Sequence, residues 1–360
     1  MPEPSVAEGP MPETPMPGPL RELTTLRLGG PPRRLVVATS EAELVAVVTE
    51  MDAVDEPVLV LGGGSNLVVS DDGFDGTVVA VRTRGISACP DTDVPTCGGV
   101  TLTVAAGEPW DDVVAMAVQR TWTGVEALSG IPGSTGAVPI QNVGAYGQEV
   151  SQTIASVRTW DRRTATQQTF ANADCGFGYR DSRFKAEPGR WVVLEVTFQL
   201  LVGELSAPVG YAELARTLGV RIGERTPLAD VREAVLELRR GKGMVLDDAD
   251  HDTWSAGSFF TNPVLDAEAA ARLPGDAPRW EQPDGSVKTS AAWLIDRAGF
   301  AKGHTHGRVA LSGKHTLALT NRGGASTDEL LALAREIRES VRERYGVSLV
   351  NEPVTVGCSL

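Results

Sequence analysis

Apolar positions along this chain follow two patterns. Short runs of β-branched and aliphatic residues, Arg34 to Ala38, Pro57 to Leu61, Leu67 to Val69, Val78 to Val81 and Thr101 to Ala105, predict strands. Longer runs at Ile154 to Trp160 and Trp191 to Leu200 predict two more. Between them, Leu44, Val45, Val47, Val48 and Met51 recur at helical spacing behind Ser40, and Glu43 stands where it completes a capping box. A second helix opens at Pro109 with Asp111 and Asp112 in its first turn, where acids favour the dipole. After Gly203 helical patterns dominate. Tyr211 to Gly219 reads as one helix, and Thr226-Pro227 begins another that turns Leu228, Val231, Val235 and Leu238 inward before Gly241 stops it. Ala291 to Ala298 and Thr327 to Tyr345 follow, the latter acidic at its start, basic at its end and capped by Gly346. The chain closes on a strand-like run, Val347 to Val356, interrupted by Asn351-Glu352-Pro353.

Two stretches fit neither pattern. Gly62-Gly63-Gly64-Ser65-Asn66 follows a buried strand directly, and Gly124 to Gly147 holds six glycines with Glu126 as its single charged residue. Without a Cβ the backbone takes positive φ and comes close to a ligand, and successive N–H groups in such turns form nests for anions. The longer stretch therefore reads as a phosphate cradle or as a buried structural loop. A dinucleotide fold requires a helix straight after the first glycines, and a P-loop requires Gly-Lys followed by Ser or Thr. Neither follows, and both turns lie in β-rich surroundings about sixty residues apart, so they could close on two ends of one large cofactor.

Composition narrows the class. With 360 residues, 42% of them hydrophobic, two or three globular domains are expected. A net charge of −14 argues against nucleic acid and anionic membranes, so an anionic ligand needs local Arg and Lys. The first twenty residues carry seven prolines and neither Lys nor Arg, which reads as a disordered tail and lacks a signal peptide's basic and apolar regions. No apolar run is long enough to span a membrane, and Cys89, Cys97, Cys175 and Cys358 lack metal or disulfide spacing. A cytoplasmic protein with reduced thiols is the expectation. His304 and His306 form an HxH pair with no Cys or carboxylate pattern to complete a metal site, so solvated histidines suffice and no metal is expected.

Chemistry concentrates in Cys175 to Lys185, CGFGYRDSRFK, where Arg180, Asp181, Arg183 and Lys185 stand among Phe177, Tyr179 and Phe184. An amphipathic surface turn accounts for it equally well. Ser258 lies between glycine and phenylalanines in AGSFFTNP without the GxSxG pattern of a hydrolase. Glu352 before Pro353 reads as turn chemistry when taken alone.

In chain order, LGGGSN, GIPGSTGAVPIQNVGAYG, GYRDSRFK, AGSFFTNP and LVNEPV make the sequence from about Leu23 to Gly357 resemble the MurB family, the UDP-N-acetylenolpyruvoylglucosamine reductases of peptidoglycan synthesis. The resemblance implies an α+β protein with a two-subdomain FAD-binding fold of the vanillyl-alcohol-oxidase (PCMH) type and a C-terminal α+β substrate-binding domain. It divides the chain into a proline-rich tail (1–22), two FAD-binding subdomains (23–85 and 86–210), a substrate-binding domain (211–346) and a C-terminal strand (347–360). FAD, held non-covalently, is implied at Gly62, Gly63, Gly64, Ser65 and Asn66 and at Gly130, Ile131, Pro132, Gly133, Ser134, Gly136 and Ala137, with Gln141, Asn142, Gly144 and Ala145 near the flavin. Arg180, Ser258 and Glu352 match catalytic positions, and Tyr146, Tyr211, Lys242 and Asn262 match substrate-side positions of the type I branch. NADPH is the implied co-substrate and UDP-N-acetylglucosamine enolpyruvate the substrate. The sequence departs from the family at the tail, and at Pro353-Val354, where some members carry Val-Arg. An oxidase or dehydrogenase of the same fold acting on an alcohol or hydroxy acid is the alternative, but no CxxH-type flavin attachment occurs.

Overall fold

The computed structural model describes residues 18–90 and 98–360. Of the expected tail, residues 1–17 lie outside the described residues, and its last part is folded. Leu20–Glu22 forms a 3-10 turn, the Leu20 N–H donates to Gly30 O at 2.9 Å, and Leu20 is 1% exposed. Ordered chain therefore begins before Leu23, because Leu20 fills a cluster with Leu61, Val69, Val78 and Val356.

Pro32–Ala38, Phe74–Val81 and Val58–Leu61 form a parallel sheet with Phe74–Val81 in the middle. The helix Glu41–Asp52 crosses over it and buries Leu44, Val48 and Met51. Its cap is one residue wider than the spacing predicts. Ser40 Oγ accepts the Glu43 N–H at 3.2 Å, but the Glu43 carboxylate takes the Thr39 N–H at 2.8 Å, not that of Ser40.

The second sheet is antiparallel in the order Thr166–Ala171, Ile154–Asp161, Trp191–Val202, Gly99–Ala105, Ile86–Pro90. The helix Trp110–Gln119 lies against it, with Trp110 5.6 Å from Phe198 between ring centroids. Val48 and Val79 of the first sheet layer share one core with Val104 and Phe198 of the second. Asp111 has a more specific task than the helix dipole: it accepts the Gly130 N–H at 2.6 Å and pairs with Arg232 at 2.7 Å.

The segment expected as one domain over 211–346 supplies two cores. Helices Ala212–Leu218 and Leu228–Gly241 bury Leu214, Val231 and Val235 against Ala127 of the glycine-rich stretch. Pro227 occupies the cap position before the second of them. A separate core joins Phe259, Phe260, Leu294, Leu330 and Ile337 and takes in Leu26, Leu28 and Val68 from the first subdomain. Around it stand the helices Ala291–Arg297 and Thr327–Tyr345 and two small three-stranded sheets, so the whole is α+β. The longer helix carries the capping box of Ser326 and Glu329 and ends at Gly346 with φ +68°. Thr327 Oγ1 donates to Val69 O at 2.6 Å, which ties this helix to the first subdomain.

Of the run Val347 to Val356, only Val354–Val356 is a strand, pairing in parallel with Leu67–Val69. Val347 and Leu349 are instead buried in the C-terminal core. Among the described residues no helix is long and apolar enough to cross a membrane.

Candidate active site

The two glycine-rich turns touch each other. A Cβ on Gly63 would lie 2.5 Å from Gly133 Cα, one on Gly62 would lie 2.4 Å from Ser134 Oγ, and Ser65 Oγ donates to Pro132 O at 3.0 Å. Together they form one wall of a cavity of about 310 Å³. Gly62, Gly63, Gly64, Ser65 and Asn66 line it from one turn, and Ile131, Pro132, Gly133, Ser134, Ala137, Gln141 and Gly144 from the other.

The expected catalytic residues reach the same cavity from three distant segments: Arg180, Ser258 and Glu352 all line it. Arg180 is presented by a tight turn in which Gly178 and Asp181 exchange backbone hydrogen bonds. At φ +54° it occupies the left-handed region, a strain of order 1–3 kcal/mol for a residue with a Cβ that is found at functional sites. Lys185 Nζ donates to Arg180 O at 2.7 Å and also lines the cavity. Glu352 is carried in by the C-terminal strand. Its N–H donates to Phe259 O at 2.9 Å, the Val354 N–H donates to Asn66 O at 3.0 Å, and Asn66 Nδ2 donates to Glu352 O at 3.3 Å.

Arg180 Nε stands 3.0 Å from Glu352 Oε1, and Arg180 Nη2 donates to Gly144 O at 3.0 Å. Gln141 Nε2 donates to the same Oε1 at 3.3 Å. Burial raises the Glu352 pKa above the ordinary carboxylate value, and Arg180 and Lys185 pull against that rise. The pair thus offers a permanent guanidinium beside a carboxyl group with a heightened tendency to hold a proton.

Other expected residues lie off the cavity lining. Asn142, at φ +46°, is buried and its side chain is fully used: Nδ2 donates to Glu149 and to Gly178 O, and Oδ1 accepts the Ser151 N–H. It holds the Arg180 turn. Gly136 packs on the sheet, where a Cβ would stand 2.5 Å from that of Ala106. Gly130 abuts Leu236, and Ala145 pairs with Gln148 in a two-residue strand. Tyr146 and Tyr211 meet edge to face with centroids 5.6 Å apart, Lys242 Nζ lies 5.4 Å from the Tyr146 ring, and Glu213 pairs with Lys242 at 2.5 Å. Asn262 Oδ1 accepts the Ala291 N–H at 3.0 Å. His304 meets Phe300 edge to face and His306 stands 3.3 Å from Glu336, and among the described residues no group of three metal-ligating side chains occurs.

Three site residues escaped the sequence reading. Lys185 was visible only as one charge of a cluster. Arg239 lines the cavity, is buried, and its Nε has no hydrogen-bond partner while an Nη donates to Met244 O at 2.9 Å. Burial lowers its pKa to about 10. It stands four residues after Val235 on the inward face of its helix, so the periodicity contained the signal. His315 lies 3.4 Å from Ser258 Oγ through Nε2, and nothing in the local sequence marks it.

Set against known proteins, residues 32–170 match the FAD binding domain model, and residues 248–356 match that of the UDP-N-acetylenolpyruvoylglucosamine reductase C-terminal domain. The chain is 58% identical over 345 residues to the UDP-N-acetylenolpyruvoylglucosamine reductase of Cutibacterium acnes, covering 95% of this chain and 90% of that one. It is also 58% identical over 353 residues to the enzyme of that name from Streptomyces coelicolor, again covering 95% and 90%. The chain belongs to the UDP-N-acetylenolpyruvoylglucosamine reductase family. The fold agrees with the crystal structure of the Thermus caldophilus reductase, at a TM-score of 0.62, 24% identity, and coverage of 94% of this chain and 97% of that one.

Membership in this reductase family makes FAD the group the cavity should accept, and the residues fit. The cavity is lined by backbone of both glycine-rich turns, and Arg239 offers it a buried cation with a free donor to an anionic ligand.

Proposed function

We propose that this cavity is where the chain reduces UDP-N-acetylenolpyruvoylglucosamine to UDP-N-acetylmuramate, a step in peptidoglycan precursor synthesis, and that Arg180, Ser258 and Glu352 carry the chemistry. The reaction itself follows from family membership over nearly the whole length of the chain. The assignment of residues rests on one observation: side chains 78 and 94 positions apart in turn, 180, 258 and 352, converge on a cavity walled by both glycine turns.

FAD, when bound, supplies to the enolpyruvyl C3 the hydride that NADPH provides. The glycine turns would hold it through Gly62 to Asn66, Ile131 to Ser134 and Ala137, with Arg239 facing an anionic group. Negative charge then develops at C2 of the substrate and spreads into its carboxylate. Arg180 meets that charge with a planar, permanently protonated guanidinium already fixed by Gly144 O and Glu352. Preorganised donors of this kind contribute about 3 kcal/mol. Glu352 sets the orientation of Arg180 through the 3.0 Å contact between Oε1 and Nε. Ser258 delivers the proton to C2.

Tyr146, Tyr211, Lys242 and Asn262 take the nucleotide end. Lys242 exchanges Glu213 for the substrate diphosphate, because a doubly charged anion competes well for one ammonium. A nucleotide-sugar substrate and NADPH as reductant fit a cytoplasmic enzyme. The experiment is NADPH oxidation by the flavin-loaded protein with and without UDP-N-acetylenolpyruvoylglucosamine. Substrate-dependent oxidation that yields UDP-N-acetylmuramate is expected, and oxidation indifferent to the enolpyruvyl substrate would overturn the reading.

A further inference from the structure

Ser258 and His315 belong to different segments of the C-terminal domain, yet their mutual placement is fixed by backbone. The Phe259 N–H donates to Leu317 O at 2.7 Å, and the His315 N–H donates to Ser312 Oγ at 3.2 Å. This clasp sets His315 Nε2 3.4 Å from Ser258 Oγ at the edge of the cavity. A serine hydroxyl has one proton. If Nε2 is bare, that proton points into the ring and is lost to the substrate; if Nε2 carries hydrogen, Oγ accepts from the ring and its own proton is free to point elsewhere.

We propose that His315 is a positioning residue for Ser258: its uncharged imidazole donates Nε2–H to Oγ, turns the hydroxyl proton toward the cavity and stabilises the oxygen once that proton has left. This rests on the reading of Ser258 as the proton donor. In the step, the Ser258 O–H bond breaks and a C–H bond forms at substrate C2. The electron pair stays on Oγ, His315 keeps its proton, and water later reprotonates Ser258.

The surroundings agree with a neutral ring. Burial first, then Lys242, Lys302 and Arg239, lower the His315 pKa to about 4, while Glu213 opposes them. The same positive field favours a negative Oγ, so the feature that keeps the imidazole uncharged also eases departure of the serine proton. A hydrogen bond to a full negative charge is about twice as strong as one between neutral groups. The ring is therefore most useful at the moment the proton has moved.

The test uses the flavin-loaded protein and the two half-reactions. His315→Leu should leave NADPH-driven bleaching of the flavin unchanged and slow its recovery on adding UDP-N-acetylenolpyruvoylglucosamine by about 10²-fold, the scale of one lost donor to a developing anion. His315→Gln, which can present an N–H near the Nε2 position, should restore most of the rate. The double variant with Ser258→Ala should be no slower than Ser258→Ala alone. Equal slowing of both half-reactions, or additive losses in the double variant, would overturn the proposal. If Ser258→Ala itself leaves recovery unchanged, the assignment of Ser258 fails, a result distinct from failure of the His315 proposal alone. A second readout is independent of turnover. Nitrogen-15 NMR of the wild-type imidazoles should show His315 neutral and protonated on Nε2 at about pH 7, and a proton on Nδ1 alone would refute the proposal even if no His315 variant folded.

Discussion

Arg180 Nε and Glu352 Oε1 stand 3.0 Å apart across a cavity wall that joins a strained turn of the middle subdomain to the end of the chain. Glu352 is also held by Gln141, so neither partner moves without disturbing the glycine-rich stretch. Arg180→Lys removes the planar fork while keeping the charge, and Glu352→Gln keeps the shape while removing the charge. Steady-state kinetics should show kcat reduced by about 10² to 10³ in Arg180→Lys, the range for a lost donor to a developing anion. Glu352→Gln, whose amide oxygen still accepts from the Arg180 guanidinium, should lose less. The reverse order would mean that the Glu352 charge, and not its orienting role, is what the reaction uses.

The proposed cradle makes flavin retention depend on the contact between the two glycine turns. Gly133 has φ +125°, and a Cβ there would stand 2.9 Å from Ser65 Oγ, so Gly133→Val strains one turn and pushes on the other. The ratio of flavin to protein absorbance after purification should fall, while the core around Phe259 and Ile337, remote in sequence, remains folded by circular dichroism. Full flavin occupancy in this variant would contradict the assignment of the cradle.

His315 makes stability depend on pH in a defined window. Its folded pKa of about 4 lies below the ordinary value of 6.5, so below pH 6.5 the unfolded chain takes up a proton that the folded chain refuses. Stability is therefore fully present above 6.5 and declines as pH falls toward 4, by roughly 3 kcal/mol at about 1.4 kcal/mol per pH unit. Urea unfolding at a series of pH values should show this slope in the wild type and its loss in His315→Gln. An identical slope in both would place the acid sensitivity elsewhere.

Much of the architecture was legible because the apolar periodicity is strong. The helix carrying Leu44, Val48 and Met51 and the strand Ile154–Asp161 lie within a residue or so of their expected bounds. Thr166–Ala171 was invisible because it is an edge strand whose only buried side chain is Phe170, which leaves no alternation to read. The motifs brought Arg180, Ser258 and Glu352 into view, but not the work of Asn142, whose polar atoms all face protein partners. Arg239 lies one helical turn after Val235 on the buried face of its helix, so its inward position is legible from the periodicity even though a charge on such a face is uncommon. His315 is not legible in this way, since its partner Ser258 is 57 residues away and the two meet only through tertiary backbone bonds.

The role of Ser258 is tested most directly by stopped-flow absorbance of the Ser258→Ala protein in its two half-reactions. In the proposed mechanism the proton from Ser258 is needed only after the hydride has reached the substrate, so NADPH-driven bleaching of the flavin should proceed at nearly the wild-type rate. Recovery of the flavin band on mixing with UDP-N-acetylenolpyruvoylglucosamine should slow by about 10² to 10⁴, the range for a lost general acid. Recovery at the wild-type rate would remove Ser258 from the mechanism, and equal slowing of both phases would show instead that the substitution had displaced the cofactor.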